Sequence, residues 1–112
     1  MARDLSFWKV NGEVQLSNAE VYKRLSCEQY IEGIQKLPIN EIMEKINTEF
    51  CNWEKHETLF EYLNQSFEIM ATSQFVRFDC YSVSEENMNK MIDIMLEYGC
   101  PLYDSAIDIR FD

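Results

Sequence analysis

The sequence predicts a single α+β domain in which an antiparallel sheet, built from hairpins, carries helices packed on one face. The chain has 112 residues, the size of one domain with one core, so residues 1–112 are assigned to that domain. Apolar residues make up 46% and aromatic residues 13%, which is too apolar for a disordered chain. Strand-like segments alternate with segments of helical spacing, and no apolar run approaches the roughly 20 residues that a membrane span needs.

The amino-terminal segment predicts a β-hairpin. Residues 4–10 and 13–16 are strand-like, and Asn11-Gly12 between them is a strong signal for a two-residue turn.

Three helices are predicted next. Ser17 and Glu20 fit a capping box, so a short helix should begin there. Ser26 and Gln29 repeat the pattern and predict a second helix, which ends before Pro38. The third helix should begin with Asn40 as its N-cap. The apolar positions of the second and third helices are Tyr30, Ile31, Ile34 and Leu37, and then Ile42, Met43, Ile46 and Phe50, while Glu41, Glu44, Lys45 and Glu49 form the outer face of the third.

The middle of the chain predicts a second hairpin. Residues 66–71 and 74–83 are rich in aromatic and β-branched residues and flank Thr72-Ser73. Residues 53–56 are typical of a loop, and residues 58–63 fit either a strand or a helix.

A further helix begins after Ser84, with Glu85 and Glu86 in its first turn, and ends near Gly99, which suits a left-handed cap. Its apolar stripe predicts a core contact and consists of Met88, Met91, Ile92, Met95 and Leu96. Residues 102–103 and 106–111 then predict one or two terminal strands.

The net charge of -10 is concentrated in the later part of the chain. Residues 41–112 contain fifteen acidic and five basic residues, whereas the charges of residues 1–40 cancel. A negative field repels nucleic acid and anionic membranes and speeds encounters with basic proteins, although it also serves solubility alone. We therefore expect a protein partner, with no nucleic acid and no membrane.

The four cysteines are widely spaced and lack a paired motif, which argues against a zinc site. Because the amino terminus lacks a secretory signal, we expect a cytoplasmic protein with reduced thiols that pack as small apolar residues. They are Cys27, Cys51, Cys80 and Cys100.

No catalytic, cofactor or metal pattern stands out, so the expectation is no enzyme, no cofactor and no metal. His56 lies in a polar stretch typical of solvent exposure, and nothing in the sequence places a nucleophile beside it. The isolated glycines exclude a phosphate-binding loop. Asp104, Asp108 and Asp112 recur every four residues but lack the glycine and closing glutamate of a calcium loop.

The candidate partner-binding residues are exposed carboxylates of the middle segment and of the last helix. They could form one acidic surface if the fold brings them to one side. They are Glu54, Glu57, Glu61, Glu86, Asp93 and Glu97.

The chain opens with Asp-Leu-Ser-Phe-Trp-Lys at residues 4–9 and ends in a helix, turn and strand over residues 88–112. In size, charge and architecture it resembles the small acidic immunity proteins of bacterial contact-dependent inhibition and related polymorphic toxin systems. The resemblance implies a protein that binds a sibling toxin, commonly a basic nuclease, and blocks its active site or substrate groove.

Two other hypotheses remain open at this stage. One is a structural or regulatory module that self-associates as a homodimer through the mixed face of residues 74–83. The other is a small enzyme that uses Cys80 or Cys100 with His56.

Overall fold

The computed structural model describes residues 3–111, which form one seven-stranded sheet and three helices. The elements are β1 (Arg3–Phe7), α1 (Asn18–Ser26), α2 (Ile39–Glu49), β2 (Glu54–His56), β3 (Leu59–Tyr62), β4 (Gln65–Thr72), β5 (Phe75–Ser82), α3 (Glu85–Leu96), β6 (Leu102–Asp104) and β7 (Ile109–Arg110). The strand order is β2-β3-β4-β5-β1-β6-β7, and all neighbours are antiparallel. The predicted α+β class is confirmed.

The first strand lies inside the sheet. On one side of β1, Leu5 is paired with Phe78, and on the other side it is paired with Asp104. Because side chains alternate along a strand, Leu5 and Phe7 contribute to one core while Ser6 and Trp8 turn to the opposite side.

The two sheet faces carry different helices. Helices α2 and α3 cover the face of Phe7 and Phe78, which we call the α2–α3 face, through Ile42, Ile46, Met91 and Met95. Helix α1 covers part of the other face, which we call the α1 face, where Val21 and Leu25 pack with Trp8 and Tyr103. The expectation that all helices share one face therefore fails for α1, because apolar side chains such as Trp8, Phe75 and Tyr103 also lie on the opposite face of the sheet.

The predicted amino-terminal hairpin is wrong. Residues 13–16 form no strand, because β5 and β6 already occupy both edges of β1. Val10 forms an isolated bridge with Ile34, and the Asn11 amide donates to the Gly33 carbonyl at 2.9 Å. Tertiary pairing thus overrides the local turn signal.

The helix predicted between Ser26 and Pro38 is also wrong, because the buried Gln74 side chain forms hydrogen bonds with the backbone of this segment. The Ile31 amide donates to Gln74 Oε1 at 3.0 Å, and Gln74 Nε2 donates to the carbonyls of Ile31 and Ile34 at 2.7 and 2.9 Å. Gly33 has a φ of +94°, and a Cβ there would lie 2.8 Å from the Glu13 carbonyl oxygen. The segment is therefore an ordered loop held to the sheet.

The helix ends follow local signals more closely. Ser17 and Ser84 cap α1 and α3 by accepting from the amides of Glu20 and Asn87, as predicted. Gly99 adopts a φ of +76°, and Cys100 donates its amide to the carbonyl of Met95 in a Schellman-type end.

Helix α2 differs from the prediction at its start. It begins at Ile39 after Pro38, so Asn40 is not its N-cap, and no side chain caps this end. Proline suits this position because its φ is already close to helical.

The two strands predicted for residues 66–71 and 74–83 are confirmed as β4 and β5, with ends that differ by one residue and a turn one residue later than the predicted Thr72-Ser73. The hairpin of β4 and β5 turns at Ser73-Gln74, and Val76, Phe78 and Cys80 are buried on one face as predicted. Residues 54–56, expected as a loop, form the edge strand β2, and the ambiguous segment 58–63 contains strand β3. Of the stripe predicted for α3, Met91 and Met95 are buried, but Leu96 is 52% exposed.

We predict that Gln74→Ala lowers the free energy of unfolding by about 2–4 kcal/mol, because the Ile31 amide and the Ile34 carbonyl would lose the partner that Gln74 supplies, and the Ile31 carbonyl would keep only its bond from the Ile34 amide. Urea denaturation measures this change. The exposed Gln29→Ala is the matched control and should stay within about 0.5 kcal/mol of the parent. Equal stability of the two variants would contradict the role of Gln74.

Candidate functional site

An acidic groove lies between α2 and α3, on the outside of the α2–α3 layer. Its volume is about 580 Å³, and Ile94 contributes an apolar floor. The polar residues around it are Glu41, Glu44, Lys45, Thr48, Glu49 and Glu97. Four carboxylates thus surround one ammonium group.

The single lysine of the groove is already engaged. Lys45 Nζ donates to Glu97 Oε1 at 3.1 Å and lies 5.3 Å from the centre of the Tyr98 ring. The hydrogen bond to Glu97 raises the pKa of Lys45, so this side chain stays charged. Burial and the neighbouring Glu41 carboxylate raise the pKa of Tyr98.

Three groove carboxylates have no basic partner within residues 3–111: Glu41, Glu44 and Glu49. All three are exposed, so water and mobile ions solvate them. Their helical spacing puts them along one side of α2, where their fields add. The arrangement is suited to binding the cationic side chains of another molecule.

The sequence already contained the signal for these residues. The spacing of Glu41, Glu44 and Glu49 predicts the outer face of a helix, but the candidate binding residues predicted from the sequence do not include them. What the pattern does not reveal is that α3 packs alongside and adds Glu97 to the same groove.

The six predicted binding residues are all exposed, but the fold does not gather them on one side. Glu54 and Glu61 are cross-strand partners in β2 and β3 and share the face of Glu68, which is the α1 face. Glu57 occupies the turn between these strands with a φ of 59°. The α3 carboxylates Glu86, Asp93 and Glu97 belong to the opposite layer, and of these Glu97 contributes to the groove. The six predicted residues therefore do not form one acidic surface.

His56 is exposed on the edge strand β2. Its Nε2 atom lies 3.6 Å from carboxylate oxygens of both Glu54 and Glu61. Because these two glutamates face each other directly, their charges repel. A cation placed between them would relieve that repulsion.

A hydrogen-bonded carboxylate occupies the open part of the α1 face. Tyr81 Oη donates to Glu68 Oε1 at 2.7 Å, and Thr58 Oγ1 donates to Glu68 Oε2 at 3.0 Å. Both hydrogen bonds lower the pKa of Glu68, and the bond from Tyr81 has the larger effect.

Further along this face, charged side chains are paired with each other. Arg77 donates two hydrogen bonds to Asp79 at 2.8 and 3.2 Å, and Tyr22 donates to Asp4 at 2.7 Å. Burial raises the pKa of Asp79, Arg77 lowers it and the facing Asp4 raises it again. The mixed face of β5 is therefore satisfied within the chain.

The thiols divide into two classes. Cys80 and Cys100 are buried as predicted, and burial raises their pKa values to about 12 and about 11. Cys27 and Cys51 are exposed, contrary to the prediction, because each lies just beyond a helix end. Cys80 packs on the α2–α3 face while His56 lies on the α1 face, so they form no nucleophile–base pair.

Residues 3–111 have neither a metal-binding cluster nor a membrane-spanning helix. No group of three or more His, Cys, Asp or Glu side chains there is arranged to hold a metal ion. Asp104 instead pairs with Arg3 at 2.8 Å, Asp108 accepts from Tyr103 at 2.7 Å, and Asp112 lies outside the described residues. Over the same range, no helix has the length and apolar character needed to cross a bilayer.

Comparison with known proteins gave no match: no family model matches this chain, and neither does any curated protein or solved structure.

We predict that two thiols of the folded protein react rapidly with a disulfide reagent such as Ellman's reagent. Cys27 and Cys51 are accessible, whereas Cys80 and Cys100 are buried and hold their protons at neutral pH. The number of reactive thiols per molecule should rise to four after denaturation. A Cys27→Ser, Cys51→Ser variant should show no rapid phase of reaction. Fast modification of Cys80 in the folded state would contradict this assignment.

We further predict that Tyr81→Phe raises the pKa of Glu68, since it removes the hydrogen bond that lowers this pKa most. NMR titration of the Glu68 carboxyl carbon measures the shift. The stabilisation from this bond exists at neutral pH and is lost as the pH falls through the Glu68 pKa in the folded protein. Tyr62→Phe is the control and should leave the Glu68 titration unchanged; identical titrations of the two variants would count against the bond.

Proposed function

We propose that this protein is a non-enzymatic binding module that neutralises a cognate cationic protein, as an immunity protein neutralises its toxin. The observation that carries the proposal is the set of three exposed carboxylates in the groove between α2 and α3 that have no basic partner among residues 3–111: Glu41, Glu44 and Glu49.

The groove offers both charge and shape for such a partner. Lysine or arginine side chains of the partner would take the place of solvent beside Glu41 and Glu44, while their aliphatic stems would lie along the apolar floor at Ile94. For a nuclease partner, the line of carboxylates would occupy the positions that substrate phosphates otherwise take. Binding there would block substrate entry.

The charge of the whole chain supports rapid recognition. The net charge of -10 gives a long-range attraction for a cationic surface, which speeds association and weakens with salt. Close contacts within the groove would then set the rate of dissociation.

The other two hypotheses receive less support. An enzyme that uses Cys80 or Cys100 needs an accessible thiolate near His56, yet both thiols are buried with raised pKa values. Self-association through the mixed face of β5 needs free polar groups, yet Arg77 and Asp79 bond to each other and Tyr81 bonds to Glu68.

Co-expression with the product of the adjacent upstream gene tests the proposal, with co-purification and protection of cells from that product as the readouts. With the purified partner, Glu41→Gln, Glu44→Gln, Glu49→Gln should slow association at low salt by about tenfold or more, because it removes the charge that steers the partner to the groove. Stopped-flow fluorescence at two salt concentrations measures this rate.

The matched control removes the same charge elsewhere. Glu13→Gln, Glu28→Gln, Glu32→Gln changes exposed residues outside the groove, so it should slow association by less than about threefold. Equal effects of the two triple variants, or an association rate insensitive to salt, would refute the groove as the binding site. Absence of both co-purification and protection would refute the immunity function.

A further inference from the structure

The turn between β3 and β4 has an unusual occupant. Tyr62 pairs with Gln65 across the hairpin, so the turn consists of Leu63 and Asn64 alone. Leu63 has a φ of 54°, a backbone region that favours glycine. Its side chain is 86% exposed, the largest value among the exposed large apolar residues.

Leu63 is therefore unfavourable for folding on two counts. A leucine in the left-handed region is strained, and its exposed side chain gains almost nothing from packing. Glycine would suit this turn better. A functional role for Leu63 therefore depends on what surrounds it as well as on its exposure.

The surroundings of Leu63 are aromatic and acidic. Tyr62, itself 41% exposed, stacks on Trp53 with ring centres 5.6 Å apart. A shallow depression of about 430 Å³ lies here, bounded by Asn52, Glu54, Glu61, Tyr62 and Leu63. We call Trp53, Tyr62 and Leu63 the turn patch.

The composition of this region matches that of a binding hot spot. Interfaces concentrate their binding energy in a few aromatic or apolar anchors, and a polar rim around these anchors excludes water. Here the rim is negative, and its members Glu54 and Glu61 repel each other across the β2–β3 pair. A lysine or arginine of a partner would add a charge-assisted hydrogen bond to both carboxylates, beside the His56 Nε2 atom that lies 3.6 Å from each.

We propose that the turn patch anchors the cationic partner: Leu63 enters an apolar pocket of that partner, and basic residues around the pocket contact Glu54 and Glu61. The inference rests on the proposed function and adds a second contact site to the groove. The two sites are joined by a short stretch of chain, since α2 ends at Glu49 and the depression begins at Asn52.

A display library of random dodecapeptides, selected against the purified protein, provides the probe. We expect enriched peptides to combine lysine or arginine with a large apolar residue. Leu63→Ser and Leu63→Gly should each weaken their binding by about tenfold or more in fluorescence polarisation. Leu63→Gly should at the same time leave the melting temperature unchanged or raise it, which separates binding from folding.

The control is Leu96→Ser, which removes another exposed leucine, on α3, and should leave peptide affinity unchanged. Glu54→Gln, Glu61→Gln should reduce the salt dependence of binding. The inference is overturned if no basic, apolar peptides are enriched, if they bind Leu63→Ser as tightly as the parent, or if Leu63→Ser instead dissociates a homodimer in sedimentation. A toxin that is slowed by the groove variant but bound normally by Leu63→Ser would refute this anchor while the proposed function stands.

Discussion

The fold depends on the double pairing of β1. This strand is hydrogen-bonded to β5 on one side and to β6 on the other, so it joins the middle of the chain to its carboxyl-terminal part. Its side chains Leu5 and Phe7 lie beneath α2 and α3, and Trp8, the residue that directly follows the strand, lies beneath α1. Loss of this strand would divide the sheet and open both layers at once.

Carboxylates near the centre of the sheet and carboxylates on the outer side of α2 have different surroundings. Near the centre of the sheet, carboxylates have partners, as Asp104 has Arg3 and Asp79 has Arg77, because unpaired charges there would be costly to desolvate. Towards the outer side of α2 that cost disappears, and Glu41, Glu44 and Glu49 have no basic partner in the part of the chain that the structure describes. The chain can therefore accumulate negative charge at its surface without losing stability in its interior.

The edge of the sheet around β2 and β3 differs from its centre. Its strands are short, and Glu57 and Leu63 both hold positive φ in two-residue turns. The charged and short edge strand β2 also limits unwanted pairing with other sheets. The hairpin thus combines an exposed apolar tip with a negative rim, and it follows directly after the acidic helix α2. The groove and the turn patch are neighbours along the chain for this reason.

Local signals in the sequence are enough to predict the α+β class, the serine caps of α1 and α3, the β4–β5 hairpin and the negative charge of the later segments, since each depends on residues close together in the chain. Tertiary packing sets the pairing of β1, the loop that Gln74 holds at residues 31–34 and the separate face of α1. These outcomes depend on competition between distant partners: β5 and β6 displace the local Asn11-Gly12 hairpin, and a buried glutamine side chain displaces a helix. The candidate site also depends on both local spacing and tertiary packing. The spacing of Glu41, Glu44 and Glu49 is enough to predict the outer face of α2. Glu97 joins this groove only because α3 packs beside α2. Glu54 and Glu61 are separated from α3 because they lie on the other face of the sheet.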